Sequence, residues 1–263
     1  MPDHPTDRSN DQATARLTCA ILAKNVADHI GDCVRSCSFA DDVVVFDTAS
    51  ADNTVQIATA AGARVINTPF VNFSQARNVA LRALDSEWVL FVDADERVTP
   101  ELAQEVGEAI QRPDVDGWWV PRYNHIVGHV MRGGGWYPDH QLRLLRRAKA
   151  YYDEAREVHE IAIIDGPEGH LSEHLIHYNY DDWGQFHAKQ RRYTAYEAQT
   201  LLGEGVRAHP RHLLTRPLQA FWRRFVTWKG YRDGLHGLRL CAIMAKYEFL
   251  KYWWMLRDRR DPS

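Results

Sequence analysis

Two aspartates set one residue apart, Asp93-Ala94-Asp95, follow the apolar run Trp88-Val89-Leu90-Phe91-Val92, and Glu96 comes next. In an extended chain end, residues i and i+2 face the same side, so Asp93 and Asp95 project together and Glu96 turns away as a structural residue. Two carboxylates that close repel, and within this stretch no basic residue separates them. They fit either a solvated strand-to-helix loop or a site for a divalent cation. Mg²⁺ and Mn²⁺ take few carboxylates and complete their shell with phosphate oxygens and water. Polar groups with matching chemistry stand at two other places: Lys24-Asn25, and Asp47 with Ser50 and Asp52.

The elements that must position these groups alternate. LTCAILA (17–23), DVVVFD (42–47), ARVIN (63–67) and WVLFVD (88–93) read as strands. Between them lie helical patterns: one through Ile30, Val34 and Cys37, one in NTVQIATAAG closed by Gly62, and one at 74–84 with Ser74 as its cap. A fourth helix follows, with Thr99 as N-cap and Pro100 in the first helical position. Apolar strands alternating with amphipathic helices predict a parallel α/β sheet buried on both faces, and such sheets bind ligands beyond the carboxyl ends of their strands. The three polar clusters all fall at such ends. After residue 115 the aromatic and glycine-rich text GWWVPRYNHIVGHVMRGGGWYP predicts antiparallel strands and loops, with further strand material at 140–147 and 151–164. Residues 182–203 read as helix, and 216–258 as two helices separated around GYRDGLHG (230–237), where glycines interrupt the periodicity.

Composition is that of a globular chain: 45% hydrophobic and 25% charged in 263 residues. Residues 1–16 are polar, without an apolar core for a signal peptide, and read as a disordered leader. No apolar run approaches the ~18–20 residues that span a bilayer. Cys19, Cys33, Cys37 and Cys241 show no zinc or redox spacing and read as reduced thiols, Cys33 and Cys37 on a buried helix face. The net charge of −3 is unevenly spread, because from Arg211 onward 12 Lys and Arg face 4 Asp and Glu. Four of nine tryptophans (Trp222, Trp228, Trp253, Trp254) share that basic tail. Such a tail suits an anionic membrane surface or a packed helix pair that could dimerise the chain; no recognition motif accompanies it, which disfavours nucleic acid.

Two nucleotide-binding schemes are excluded. The first strand-to-helix turn reads AILAKNVADH and lacks the dinucleotide glycine fingerprint, and no phosphate-loop G-x-x-x-x-G-K-[ST] occurs. A nucleotide here would be held by side chains and a metal. A haloacid-dehalogenase-type phosphatase also uses D-x-D, but on its first strand, whereas this pair lies on about the fourth and continues into Glu96-Arg97.

ILAKN, DDVVVFDTASADNTVQIATAAGARV, SQARNVAL, WVLFVDADE, VPRYN, GGGWYPDHQLRLLRR, VHE and LIHY occur in that order over residues 17–180. Together they resemble the family 2 glycosyltransferases of the GT-A fold, in particular the lipopolysaccharide-core β-1,4-glucosyltransferase-like branch, which YRDGLHGL in the tail also matches. The resemblance implies a Rossmann-like, mostly parallel sheet with helices on both faces at 17–180 and a C-terminal helical extension at 181–263. It implies inverting transfer of a hexose, glucose in that branch, from a UDP-sugar to a lipid-linked or lipopolysaccharide-core saccharide. A peptide acceptor, or a non-catalytic sugar- or membrane-binding protein on the same fold, are the alternatives. The enzyme is expected in the cytoplasm, peripheral on the inner face of the cytoplasmic membrane.

Residue roles follow from the same resemblance. Asp95 holds Mg²⁺ or Mn²⁺, Asp93 contacts ribose or metal, and His177 completes the metal shell, its alternative being a structural histidine. Asp47 meets uracil, with Lys24, Asn25 and Ser50 beside it, and Arg77 meets base or phosphate unless it lies on a solvated helix face. Gly133, Gly134 and Gly135 resemble the loop that lets backbone approach the donor sugar, or form a plain turn. Glu160 occupies the place of the catalytic base, with Asp139 as competitor. His159 stands where the family more often has an acid, and is left for an acceptor contact.

Overall fold

The computed structural model describes residues 16–154 and 161–258. In chain order its elements are β1 (Leu17–Ala23), α1 (Ala27–Ser36), β2 (Asp42–Asp47), α2 (Thr54–Ala60), β3 (Arg64–Asn67), α3 (Phe73–Ala83), β4 (Trp88–Asp93), β5 (Glu96–Val98) and α4 (Pro100–Ala109). There follow β6 (Gly117–Ile126), β7 (His129–Val130), β8 (His140–Arg146), β9 (Ala150–Tyr152), β10 (Ala162–Ile164), β11 (Glu168–His170), β12 (Leu175–Tyr180), α5 (Trp183–Gly203), α6 (His212–Trp222) and α7 (Gly234–Asp258). The chain forms two compact units, one of residues up to Trp119 with Leu142–Leu171, the other of Val120–Gln141 with the residues from Ser172 onward.

In the first unit β1, β2, β3 and β4 are parallel in the order β3-β2-β1-β4, and β8 adds antiparallel to β4. Both faces of the strands are apolar because both are covered. Ala20 of β1, Phe46 of β2 and Phe91 of β4 pack with Ala80, Leu81 and Leu84 at α3 and with Tyr152. On the alternate side Cys19 of β1 meets Cys33 of α1 and Cys37 at that helix's C-cap, all three buried, and the hydrogen bond with Cys37, then burial, raises the Cys19 thiol. The cysteines are free thiols. The expected βαβ alternation is therefore present with helices on both faces. Thr99 caps α4 by accepting the Leu102 N–H, with Pro100 in its first turn. At α3 the cap is Asn72, whose side chain accepts from Gln75 N; Ser74 lies inside the helix and is buried. The earlier start leaves Asn72, an equally good cap, at the extended position.

In the second unit the far half of β6 pairs in parallel with β12, from Arg122 opposite Leu175 to His125 opposite Tyr178, and antiparallel with β7. In the first unit β11 is also parallel to the start of β6. The expectation of antiparallel strands after residue 115 is thus corrected for β6: the chain between it and these partners is long enough to cross over, and local pattern does not set direction. Ile126, Met131, Tyr180, Phe186 and Leu240 form one core, and Ala198, Ala208, Tyr252 and Met255 another beneath α5 and α7. Lys251 bridges Glu197 (2.8 Å) and Glu248 (2.9 Å). The interruption between the last helices lies earlier than expected, in a π-turn (Arg223–Thr227) and a 3₁₀ turn (Gly230–Asp233), while Gly237 sits inside α7. A Cβ at Gly237 would fall 2.0 Å from the Gly230 carbonyl, so that glycine serves close packing. No helix among the described residues is long and apolar enough to cross a membrane.

Candidate active site

The end of β4 is where charge concentrates in the first unit. Asp93 closes the strand, half-buried, and Asp95 stands in the turn before β5, also half-buried. Glu96 is fully buried and its Oε2 accepts the Asp93 N–H at 2.8 Å, so the third acid turns inward as a structural brace. The positive charge that the sequence reading assigned to a metal is, at Asp93, supplied by protein. Arg77 of α3 donates to Asp93 Oδ1 at 3.0 Å, and Arg143 of β8 donates to both Asp93 oxygens and lies 3.5 Å from Glu96 Oε1. Arg77 is buried, its guanidinium 5.0 Å from the Phe91 ring, so the solvated-face alternative for it falls. Burial works against the Arg143 charge, but Asp93 and Glu96 outweigh it and raise its pKa. Sequence reasoning did not single out Arg143. Its signal was an arginine inside the apolar run Leu142-Arg143-Leu144-Leu145, which a buried strand tolerates only with an acid to meet it.

On the neighbouring strand ends, side chains build a loop. Asp47 is buried and accepts from Ser50 twice, from its N–H at 3.0 Å and its hydroxyl at 2.5 Å. Ser50 Oγ accepts the Asn25 N–H (2.9 Å), and Asn25 Oδ1 accepts the Ala51 N–H (2.7 Å). Asp52 accepts from Ala27 N and from Thr54, which fixes the turn and holds its pKa below the usual value. Lys24 is exposed, its ammonium 5.8 Å from the Phe70 ring. Asn25 (φ 53°) and Ala49 (φ 63°) both take the left-handed conformation, which costs Ala49 more because asparagine tolerates it. Non-glycine residues kept in that region gather at ligand loops.

In the second unit one asparagine organises two predicted residues, Asp139 and His177. Asn124 of β6 is buried; its Nδ2 donates to the Trp136 carbonyl (2.8 Å) and Asp139 Oδ2 (3.0 Å), which fixes the amide so that Oδ1 faces His177 Nδ1 at 2.7 Å. Nδ1 therefore donates in that bond, and Asn124 orients the imidazole as an outer-shell partner would. Asn124 stands among Arg122, Tyr123 and His125 in β6, so no local signal marked it. Asp139 takes hydrogen bonds from Arg122 Nε (3.0 Å) and Nη2 (2.7 Å) and from Gln141 (2.9 Å). Burial pushes its carboxyl up, but the Arg122 charge and these donors prevail and keep it below the ordinary range. A carboxylate so stabilised is a weak proton acceptor.

Gly133 and Gly135 owe their type to packing inside this unit, and Gly134 to its backbone conformation. A Cβ at Gly133 would stand 2.3 Å from the Lys229 carbonyl, and one at Gly135 2.5 Å from the Trp228 ring. Gly134 and Gly135 have φ of 67° and 84°. Glu160 and His159 lie outside the described residues, as does nearly all of the expected leader at 1–16. Among the described residues no three His, Cys, Asp or Glu side chains gather as a ready-made metal cluster. The donor set at β4 nonetheless suits a hard divalent cation that brings most of its ligands as substrate oxygens and water.

Comparison with known proteins identifies a family. The glycosyl transferase family 2 model matches residues 18–163, more than half of the chain. The lipopolysaccharide core biosynthesis glycosyltransferase LpsC of Rhizobium meliloti (strain 1021) is 27% identical over 246 residues, 89% of each chain. Among solved structures, S. aureus TarS 1–349 in complex with UDP-GlcNAc is 18% identical over 60% of this chain and 59% of that one, with a TM-score of 0.43. Glucosyl-3-phosphoglycerate synthase of Mycobacterium tuberculosis, in complex with Mn²⁺, UDP and glucosyl-3-phosphoglycerate, is 22% identical over 42% of this chain and 44% of that one, with a TM-score of 0.36. With a parallel sheet that ends in paired aspartates and a family match over most of that sheet, the chain belongs to glycosyl transferase family 2, on the GT-A fold.

Proposed function

We propose that the chain moves a hexose, glucose by the branch it resembles, from a UDP-sugar to a hydroxyl of a lipid-linked or lipopolysaccharide-core saccharide, with inversion and with help from Mg²⁺ or Mn²⁺. One observation carries the reading: the ends of three adjacent parallel strands, β2, β1 and β4, bear the Asp47–Ser50 loop, Asn25 and the Asp93–Asp95 pair. Likeness to LpsC along 89% of both chains supports the saccharide acceptor.

In this reading the Asn25–Ser50–Asp47 loop receives uracil and ribose, with Lys24 at its rim. By the resemblance Asp95 is the carboxylate given to the cation, beside Asp93, which Arg77 and Arg143 hold, and His177 is the imidazole assigned to a metal shell. A bound divalent cation supplies positive charge to the departing diphosphate. Gly134 and Gly135 would border the donor sugar. Glu160 takes the acceptor proton, because Asp139 is committed to Arg122 and is too weak a base. The test compares variants by calorimetry with UDP and Mn²⁺ and by transfer assay. Asp95→Ala should lose metal-dependent UDP binding and lower transfer by about 100-fold or more, while Glu160→Gln should keep UDP binding and lose transfer. Unchanged turnover in Asp95→Ala would remove the proposed site.

Attachment to an anionic membrane surface accompanies this reading. Leu214, Leu218 and Trp222 recur every fourth residue on α6 and are 68%, 60% and 65% exposed, with Arg216 and Arg223 also exposed on that segment. Co-sedimentation with phosphatidylglycerol vesicles, but not with neutral ones, is expected; equal binding to both would refute the electrostatic part.

A further inference from the structure

We propose that the second unit contains a binding site for the anionic group of a sugar, a phosphate or carboxylate borne on a hexose ring. It rests on the saccharide-acceptor reading above and names the class of acceptor. The site is a cavity of about 450 Å³ lined by Arg132, Tyr137, Thr227, Trp228, Lys229 and Arg232, among others. Its named walls hold three cations and no acid, and among the described residues none of the three cations enters an ion pair. Like charges gathered around one cavity repel, and an arriving oxyanion relieves that repulsion.

The wall is built rather than incidental. Asp233 is buried, and its Oδ1 accepts the Arg132 N–H at 2.8 Å and lies 3.2 Å from His129 Nε2. The Gly134 N–H donates to the Trp228 carbonyl at 2.7 Å, and Arg224 donates to the Gly134 carbonyl at 2.8 Å. These bonds join segment 132–135 to segment 227–233 and fix the backbone beneath the cations. The absent side chain at Gly133 is what lets the Lys229 backbone approach. Lys229 itself has φ 55°. Glycine or asparagine would hold that turn with less strain, so a lysine kept there points to a use for its ammonium.

Volume and lining argue for a sugar rather than a bare anion. A cavity of this size falls within the range of small-molecule sites, far above what inorganic phosphate fills. The Thr227 hydroxyl can hydrogen-bond a ring hydroxyl, and Tyr137 and Trp228 give the flat apolar wall that a sugar ring packs against. Guanidinium groups bind phosphate or carboxylate through paired N–H donors.

The experiment titrates the full chain, at low salt, with glucose 6-phosphate, glucuronate, glucose and inorganic phosphate. Both charged sugars should bind more tightly than glucose and than phosphate, and added KCl should weaken them. An Arg132→Glu/Arg232→Glu double variant should weaken them about tenfold or more, with Arg132→Gln/Arg232→Gln as the version of conserved size should charge reversal disturb folding. The glucose 6-phosphate and glucuronate arms separate a phosphate from a carboxylate source. Equal affinity for glucose, phosphate binding as tight as that of the charged sugars, or no loss in either double variant would overturn the proposal. UDP affinity of the native chain is measured separately. A chain that binds UDP but no charged sugar fails only this proposal, and one that binds charged sugars but not UDP fails only the donor reading.

Discussion

At the end of β4 acids meet bases from other elements: Asp93 takes Arg77 from α3 and Arg143 from β8, and Glu96 sits under the same guanidinium. Around the cavity of the second unit, Arg132, Lys229 and Arg232 line the wall without an acid among them. The difference is one of burial. Arg143 and Glu96 are buried, where an unmatched charge is prohibitive, so the chain must supply the partner itself. The cavity cations are exposed, and water can hold them until an anion comes.

The comparison breaks most severely at Arg143. Arg143→Met leaves buried Glu96 and half-buried Asp93 without their shared cation, and is expected to destabilise the first unit by about 3–5 kcal/mol in urea denaturation. A loss below about 1 kcal/mol would mean that the cluster behaves like a surface ion pair. Next in size is Gly133→Ala, which drives a Cβ against the Lys229 backbone and should cost about 1–3 kcal/mol, seen as a lower melting temperature. An unchanged melting temperature would show that segment 227–233 yields freely and that the cavity wall is less fixed than its hydrogen bonds imply.

The same contrast explains what could be read beforehand. Strands β1 to β4 were legible because each is a short apolar run punctuated by caps and glycine, and the cluster of Asp47, Ser50, Asp93 and Asp95 at their ends follows from parallel order alone. What escaped was long-range. Arg143 meets Asp93 across 50 residues, and Asn124 meets His177 across 53. Neither pairing leaves a local period, and only Arg143 is a polar residue where an apolar one is expected. The glycine triplet was visible as a motif, but its neighbours Trp228 and Lys229 come from the far end of the chain, so packing could not be told from a donor-sugar loop.

Asp139 offers the finest test, since in the second unit it is an acid that meets its base. Its carboxyl lies below the ordinary range in the folded chain because Arg122, Asn124 and Gln141 favour the ionised form over the burial that opposes it. A depressed carboxylate contributes stability that is complete above the unfolded-state value near 4 and is lost as pH falls through the lower folded value. Asp139→Asn removes both the charge and this dependence, and leaves Arg122 without its carboxylate. The variant should therefore be less stable than the native chain at pH 7, by on the order of 1 kcal/mol, and the gap should close toward pH 3. Denaturation curves at several pH values measure it. A gap that stays constant with pH would place the loss in hydrogen-bond geometry rather than in charge, and Asp139 would return as a candidate for proton transfer.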